Sequence, residues 1–276
     1  MTSEIAASEL AAAPLGHATD HPDAYAPDLL YALPRAPQRA ALGIGERLPF
    51  AGADVWTAYE LTWLDRNGKP RVAVATIVVP AESPRIVESK SMKLYLGSFA
   101  QSRFDGDQDV TATVARDLGA AAGADVHVTL AAPDALACAP LAGSSLDGLD
   151  VAFTAYDVDP ALLVAHEGNV RETLTTDLFR SLCPVTAQPD MASLQITYAG
   201  PRIDHAGLLR YLVSYRCHAG FHEHCIERIF MDVKRRCATV ELTIHARFLR
   251  RGGLDINPFR SDAGVRMPAN LRTARQ

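Results

Sequence analysis

The chain has 276 residues and a net charge of −5, from 27 Lys and Arg against 32 Asp and Glu; with 48% hydrophobic and 21% charged residues it is composed as a folded protein, and its acidic balance is unsuited to wholesale nucleic-acid binding. Its apolar runs, such as 72–79, are strand-sized and far too short to span a bilayer. Residues 1–14 contain Glu4 and Glu9 without a basic leader, and five cysteines in no compact framework fit reduced thiols, so a cytoplasmic protein acting on a small molecule, with no membrane partner, is expected.

Residues 1–44 are rich in Ala and Pro, and Pro22, Pro27, Pro34 and Pro37 interrupt any periodicity, which predicts an extended, loosely packed arm. Regular structure is expected from Val55: a strand over 55–64, a hairpin signal at Asp65-Arg66-Asn67-Gly68, and a second strand over 71–79. Met92, Tyr95 and Leu96, followed by Phe99 and Arg103, have helical spacing. Asp109 is placed to cap a helix striped by Val110, Val114 and Leu118, and strands are expected at 126–130 and 151–154. A small-residue connection fills 131–150, and 155–168 reads as a linker.

The second half is expected to open with a helix from about Asn169, in which Leu174, Leu178 and Leu182 share a face and deliver Cys183, where Pro184 stops it. A strand over 194–199 follows, then a helix capped by Asp204 and a helix over 221–237 with an inward stripe of Ile226, Ile229, Phe230, Val233 and Cys237. The alternating run 239–248 leads into Arg250-Arg251-Gly252-Gly253. Strands flank a helix pair in each half, so the chain reads as an arm (1–44) and two related α+β units, 45–155 and 156–276.

Four stretches offer chemistry. Cys183 and Asp190, either side of a short polar loop, pair a potential nucleophile with a potential proton donor; the alternative is an inert structural cysteine beside a turn aspartate. Cys217-His218-Ala219-Gly220-Phe221-His222-Glu223-His224-Cys225 invites a zinc site, but His224 lies about 200° around a helix from His222, so no tetrahedral set forms on it. His222 and Glu223 at that helix start instead suit the edge of a polar ligand, or are a core histidine beside a capping carboxylate. Glu88-Ser89-Lys90 at a helix start with exposed N–H groups, and Arg250-Arg251-Gly252-Gly253 at a strand end, suit a phosphate, or are solvated charged loops.

Taken together, Glu88-Ser89-Lys90-Ser91-Met92-Lys93-Leu94-Tyr95, the segment from Cys183 to Asp190, Phe221-His222-Glu223-His224-Cys225-Ile226-Glu227-Arg228-Ile229 and Arg251-Gly252-Gly253-Leu254-Asp255-Ile256-Asn257-Pro258 resemble the NADPH-dependent 7-cyano-7-deazaguanine reductases of queuosine biosynthesis, in their long two-unit form. The resemblance runs from about Gly45 to the end of the sequence. It implies tandem tunnelling-fold (T-fold) units with antiparallel sheets and helix pairs on one face, a homodimer, and reduction of a nitrile to a primary amine with two NADPH and no metal. By the same resemblance Cys183 forms a covalent thioimide with the nitrile carbon and Asp190 supplies a proton to nitrogen. Ile86, Val87, Glu88, His222 and Glu223 would contact the substrate, His222 also serving catalysis, and Ser89, Lys90, Arg251 and Gly252 would hold NADPH. Two rivals are a zinc-dependent pterin- or GTP-cyclising enzyme of the same fold, with His222, His224 and Cys217 or Cys225 as ligands, and a purine-binding module in which Cys183 is structural.

Overall fold

The computed structural model describes residues 22–276, so the first part of the expected arm lies outside the described residues. From residue 22 onward the arm is not loose. It forms strand β1 (Ala32–Pro34) and helix α1 (Ala36–Ala41), in which Pro37 occupies an early helical position where no N–H is needed. Leu33 is buried, and Arg35 reaches the buried Asp54 carboxylate at 2.5 Å. Regular structure thus begins well before Val55, because these side chains find buried partners that a local reading cannot see.

The chain divides into two compact units that interleave along the sequence: residues up to Ala41 with Ala53–Ala137 and Arg250–Ile256, and Leu42–Gly52 with Cys138–Leu249 and Asn257–Gln276. In the first, β2 (Ala51–Leu64) and β3 (Pro70–Pro80) form the expected hairpin. Asp65 holds its turn by accepting from the backbone N–H groups of Asn67 and Lys69. Strand β4 (Arg85–Val87) pairs with β1, helices α2 (Ser89–Gly97) and α3 (Asp107–Ala122) follow, and β5 (His127–Ala131) lies antiparallel to β3. Trp56, Trp63, Ile77, Tyr95, Phe99 and Leu118 make a core in which none is more than 2% exposed; burying each contributes roughly 1.5–3 kcal/mol. Asp109 is not the cap of α3: Gly106 is the N-cap residue, and Asp109 sits inside the first turn with its carboxylate on the N–H of Asp105.

The second unit corrects two further expectations. Residues 151–154 form no strand; a two-residue strand, β6 (Ser144–Ser145), pairs parallel with the next one. The stretch expected as a helix into Cys183 is a long strand, β7 (Ala165–Leu182), hairpinned to β8 (Pro189–Ile203). Leucines spaced by four share a face in a helix and in a strand alike, and the threonines at 173, 175 and 176 favour the strand. A bulge between Thr176 and Phe179 then shifts the alternation, burying Phe179 and leaving Leu178 exposed. Helix α4 (His205–Val213) starts at Asp204, whose carboxylate accepts from the N–H of Gly207. Helix α5 (His222–Cys237), buried on most of its surface, is followed by β9 (Glu241–Phe248) beside β8 and by β10 (Leu254–Ser261), whose residues 259–261 pair with β9.

Candidate active site

The β7–β8 hairpin places the thiol and the carboxylate. Ser181 stands opposite Asp190 in its register, and the N–H of Cys183 donates to the carbonyl of Gln188 at 2.9 Å, extending the ladder by one step. Ser181 and Asp190 share a face of the hairpin, and alternation continued one step past β7 puts Cys183 on that face as a diagonal neighbour of Asp190. The turn closes through Ala187, in the left-handed region at φ 53°. Cys183 and Asp190 are both buried.

The end of β7 also docks the start of α5. Leu182 donates to the carbonyl of His218 at 2.8 Å and accepts from the N–H of Gly220 at 3.0 Å. A Cβ at Gly220 would lie 3.0 Å from His218 Nε2 and 3.2 Å from Cys225 Sγ, so glycine permits this close approach. His222 is thereby carried to Asp190, its Nε2 lying 3.4 Å from Asp190 Oδ2. The imidazole lies flat on the Phe248 ring, at 3.8 Å between centroids and 3° between planes. Glu223 is buried in the same first turn of α5.

Burial shapes the electrostatics of Cys225, His218 and His224 beside this site. Burial, with Asp190 and Glu223 adding to it, pushes the Cys225 thiol up to about 12, so it stays protonated and is a poor nucleophile. Burial likewise lowers His218 and His224 to about 4, keeping both neutral. Among the described residues no group of three or more His, Cys, Asp or Glu side chains is arranged to hold a metal ion.

The remaining candidates lie in the first unit. Ile86 and Val87 are buried in β4, paired with Leu33 and Ala32 of β1, and Glu88 donates its backbone N–H to the carbonyl of Tyr31. The Glu88 side chain caps α2, accepting from the N–H groups of Lys90 at 2.6 Å and Ser91 at 2.8 Å. Those donors, expected to be exposed for a phosphate, are taken by the protein's own carboxylate. Positive charge at this helix start comes from side chains instead. Lys90 and Lys93 are three apart on α2, and a Cβ on Gly252 would lie 3.3 Å from Lys93 Cδ, which brings the Arg251–Gly252 turn against the same helix. Gly252 and Gly253 adopt φ 60° and 79°, a tight turn that the N–H of Arg251 closes onto the carbonyl of Leu254 at 2.8 Å. Arg250 is directed elsewhere, over the Tyr59 ring at 4.8 Å. Sequence reasoning passed over Lys93, although its spacing from Lys90 was visible, and Phe248, which carried no signal beyond strand alternation.

Two antiparallel α+β units built as tandem T-folds, one bearing a buried thiol, carboxylate and imidazole and the other a buried carboxylate and a basic turn, define a small-molecule enzyme class. A family model described as "Nitrile reductase, 7-cyano-7-deazaguanine-reductase N-term" matches residues 21–130, and one described as "QueF-like protein" matches residues 189–265. The chain is similar to proteins named NADPH-dependent 7-cyano-7-deazaguanine reductase from Burkholderia multivorans, at 56% identity over 95% of this chain and 98% of that one. Those of Burkholderia ambifaria and Burkholderia pseudomallei share 57% and 55% identity over the same proportions. The chain belongs to the NADPH-dependent 7-cyano-7-deazaguanine reductase family.

Proposed function

We propose that this chain reduces the nitrile of 7-cyano-7-deazaguanine to the aminomethyl group of 7-aminomethyl-7-deazaguanine, consuming two NADPH, in the route to queuosine in tRNA. The observation that carries this, beyond family membership, is the approach of His222 Nε2 to Asp190 Oδ2 at 3.4 Å on the hairpin bearing Cys183.

The S–H bond of Cys183 breaks, its proton passing to the Asp190 carboxylate, and the sulfur adds to the nitrile carbon as the C≡N triple bond becomes C=N and the nitrogen takes that proton to give the thioimide. A thiol suits a neutral nitrile because its thiolate is accessible and strongly nucleophilic near neutrality. Asp190 holds the proton for nitrogen, and His222, against Asp190, positions that carboxyl group. Cys225 is not the nucleophile, since burial keeps its thiol protonated. Glu223 and Glu88 read the N–H donors of the deazaguanine, with Ile86 and Val87 beside Glu88. Glu88 Oε2 keeps lone-pair capacity beyond its capping bond, while Oε1 also accepts from Ser89 Oγ at 3.4 Å.

Ser89, Lys90, Arg251 and Gly252 hold NADPH, and Lys93 against Gly252 completes a basic cradle fitting a phosphate-rich cofactor. Bound NADPH would supply hydride, two for each nitrile taken to the amine, and between the two reductions the C–S bond breaks, returning the Cys183 thiol. Two chains associate as a homodimer. Oxidation of NADPH on addition of 7-cyano-7-deazaguanine, at two NADPH per nitrile, tests this function; no oxidation, with the ligand bound unchanged, would make the chain a purine-binding module. Full activity that is lost to a chelator and restored by zinc would favour the cyclising enzyme.

A further inference from the structure

The last residue of the sequence is more buried than most of the surface loops before it. Gln276 is 5% exposed, and its amide uses its full capacity: Oε1 accepts from Arg247 Nε at 2.9 Å and from the N–H of Thr273 at 3.0 Å, while Nε2 donates to the carbonyl of Phe248 at 3.0 Å and to Asn257 Oδ1 at 2.9 Å. Asn257 Oδ1 in turn accepts from the N–H of Phe248 at 3.0 Å. These contacts replace a missing strand. The pairing of β9 with β10 runs from Thr243 only to His245, so Phe248 has no partner there, whereas the N–H of Leu249 points the other way, onto Met191 of β8. The side-chain amides of Asn257 and Gln276 therefore serve the N–H and C=O of Phe248 as a neighbouring strand would.

We infer that Gln276 is a positioning residue for the candidate active site: by fixing the backbone of Phe248 it sets the ring on which His222 stacks, and through it the approach of His222 to Asp190. The stack at 3.8 Å and 3° leaves the imidazole little freedom to tilt, so a shift of the Phe248 backbone passes directly to His222. This inference rests on the proposed function for its effect on catalysis, but its structural half is read without substrate.

The test is proton NMR of the His222 imidazole, assigned by comparison with His222→Gln, in the full chain and in Gln276→Ala and Gln276→Glu. Glutamate retains the acceptors for Arg247 and Thr273 and loses the donor to Phe248, so it keeps the tail in place. Stacking shifts the His222 ring protons upfield. The expected result is that both Gln276 variants lose much of this shift and lose about tenfold to a hundredfold in kcat/KM for the nitrile. Asn270→Ala, which removes a different partner of Arg247, keeps the shift. An unchanged shift in both Gln276 variants, an equal loss in Asn270→Ala, or failure of both Gln276 variants to fold would overturn the proposal. A lost shift in a chain whose wild type reduces no nitrile would leave the positioning role standing and sink the function alone.

Discussion

Asp190 is the residue on which the proposed proton transfer turns. Asp190→Asn keeps size and position and removes the acid, so nitrile-dependent NADPH oxidation should fall by about 10²–10⁴-fold while 7-cyano-7-deazaguanine still binds. Unchanged turnover in that variant would place the acid elsewhere, and loss of ligand binding would make Asp190 a substrate contact. The short polar loop between Cys183 and Asp190 was legible in the sequence from its small and polar residues. Their scaffold was not legible. The spacing of Leu174, Leu178 and Leu182 satisfies a helix and a strand equally, and the bulge that turns Phe179 inward depends on pairing with β8. Phe248 was unreadable for a related reason: a phenylalanine closing an alternating strand looks like core, and its service to His222 exists only once α5 is docked on the hairpin.

At the scale of elements, α5 buries Glu223, His224, Glu227 and Asp232 beside its apolar stripe, and buried imidazoles here and in β9 govern how stability responds to pH. Burial lowers His218 and His224 to about 4, and in β9 it lowers His245 to about 3, all below the usual 6.5 of imidazole. The unfolded chain takes up these protons as pH falls through 6.5, whereas the folded chain resists until about 4, and until about 3 at His245, so stability present above 6.5 is lost progressively between 6.5 and about 3. For His224 the ceiling is about 3 kcal/mol at about 1.4 kcal/mol per pH unit. Asp232, whose carboxyl is raised by burial, works in the opposite sense. The urea midpoint should therefore drop from about pH 7 to about pH 5, and drop less in His224→Gln. A midpoint that rises over that interval would contradict the burial of these rings.

The same helix carries Glu227, bonded to Arg260 of β10 through Nε at 3.1 Å and Nη2 at 2.8 Å, with both side chains buried. Glu227→Ala removes a buried counter-charge from the guanidinium and should cost about 3–5 kcal/mol in denaturant unfolding. A loss under about 1 kcal/mol would mean that water or another group reaches Arg260. The helix itself was legible from its apolar stripe, but the burial of Glu223, His224 and Glu227 was not, because charged residues on one face ordinarily mark a solvated surface.

For the whole molecule, the α+β pattern was legible from strands flanking helix pairs, and the resemblance drawn from four separated motifs carried the family. The interleaving of the two units was not, since nothing local in Arg250–Ile256 tells whether a turn of two glycines closes a hairpin or hands the chain to another body. Among the described residues no helix is long and apolar enough to cross a membrane. The central claim concerns one covalent bond, and intact-mass spectrometry reads it directly. Incubated with 7-cyano-7-deazaguanine and without NADPH, the wild-type chain should gain the mass of one ligand, and Cys225→Ala should gain it too, whereas Cys183→Ala should gain nothing. An adduct that persists in Cys183→Ala, or disappears in a folded Cys225→Ala, would contradict the assignment of Cys183 as the nucleophile.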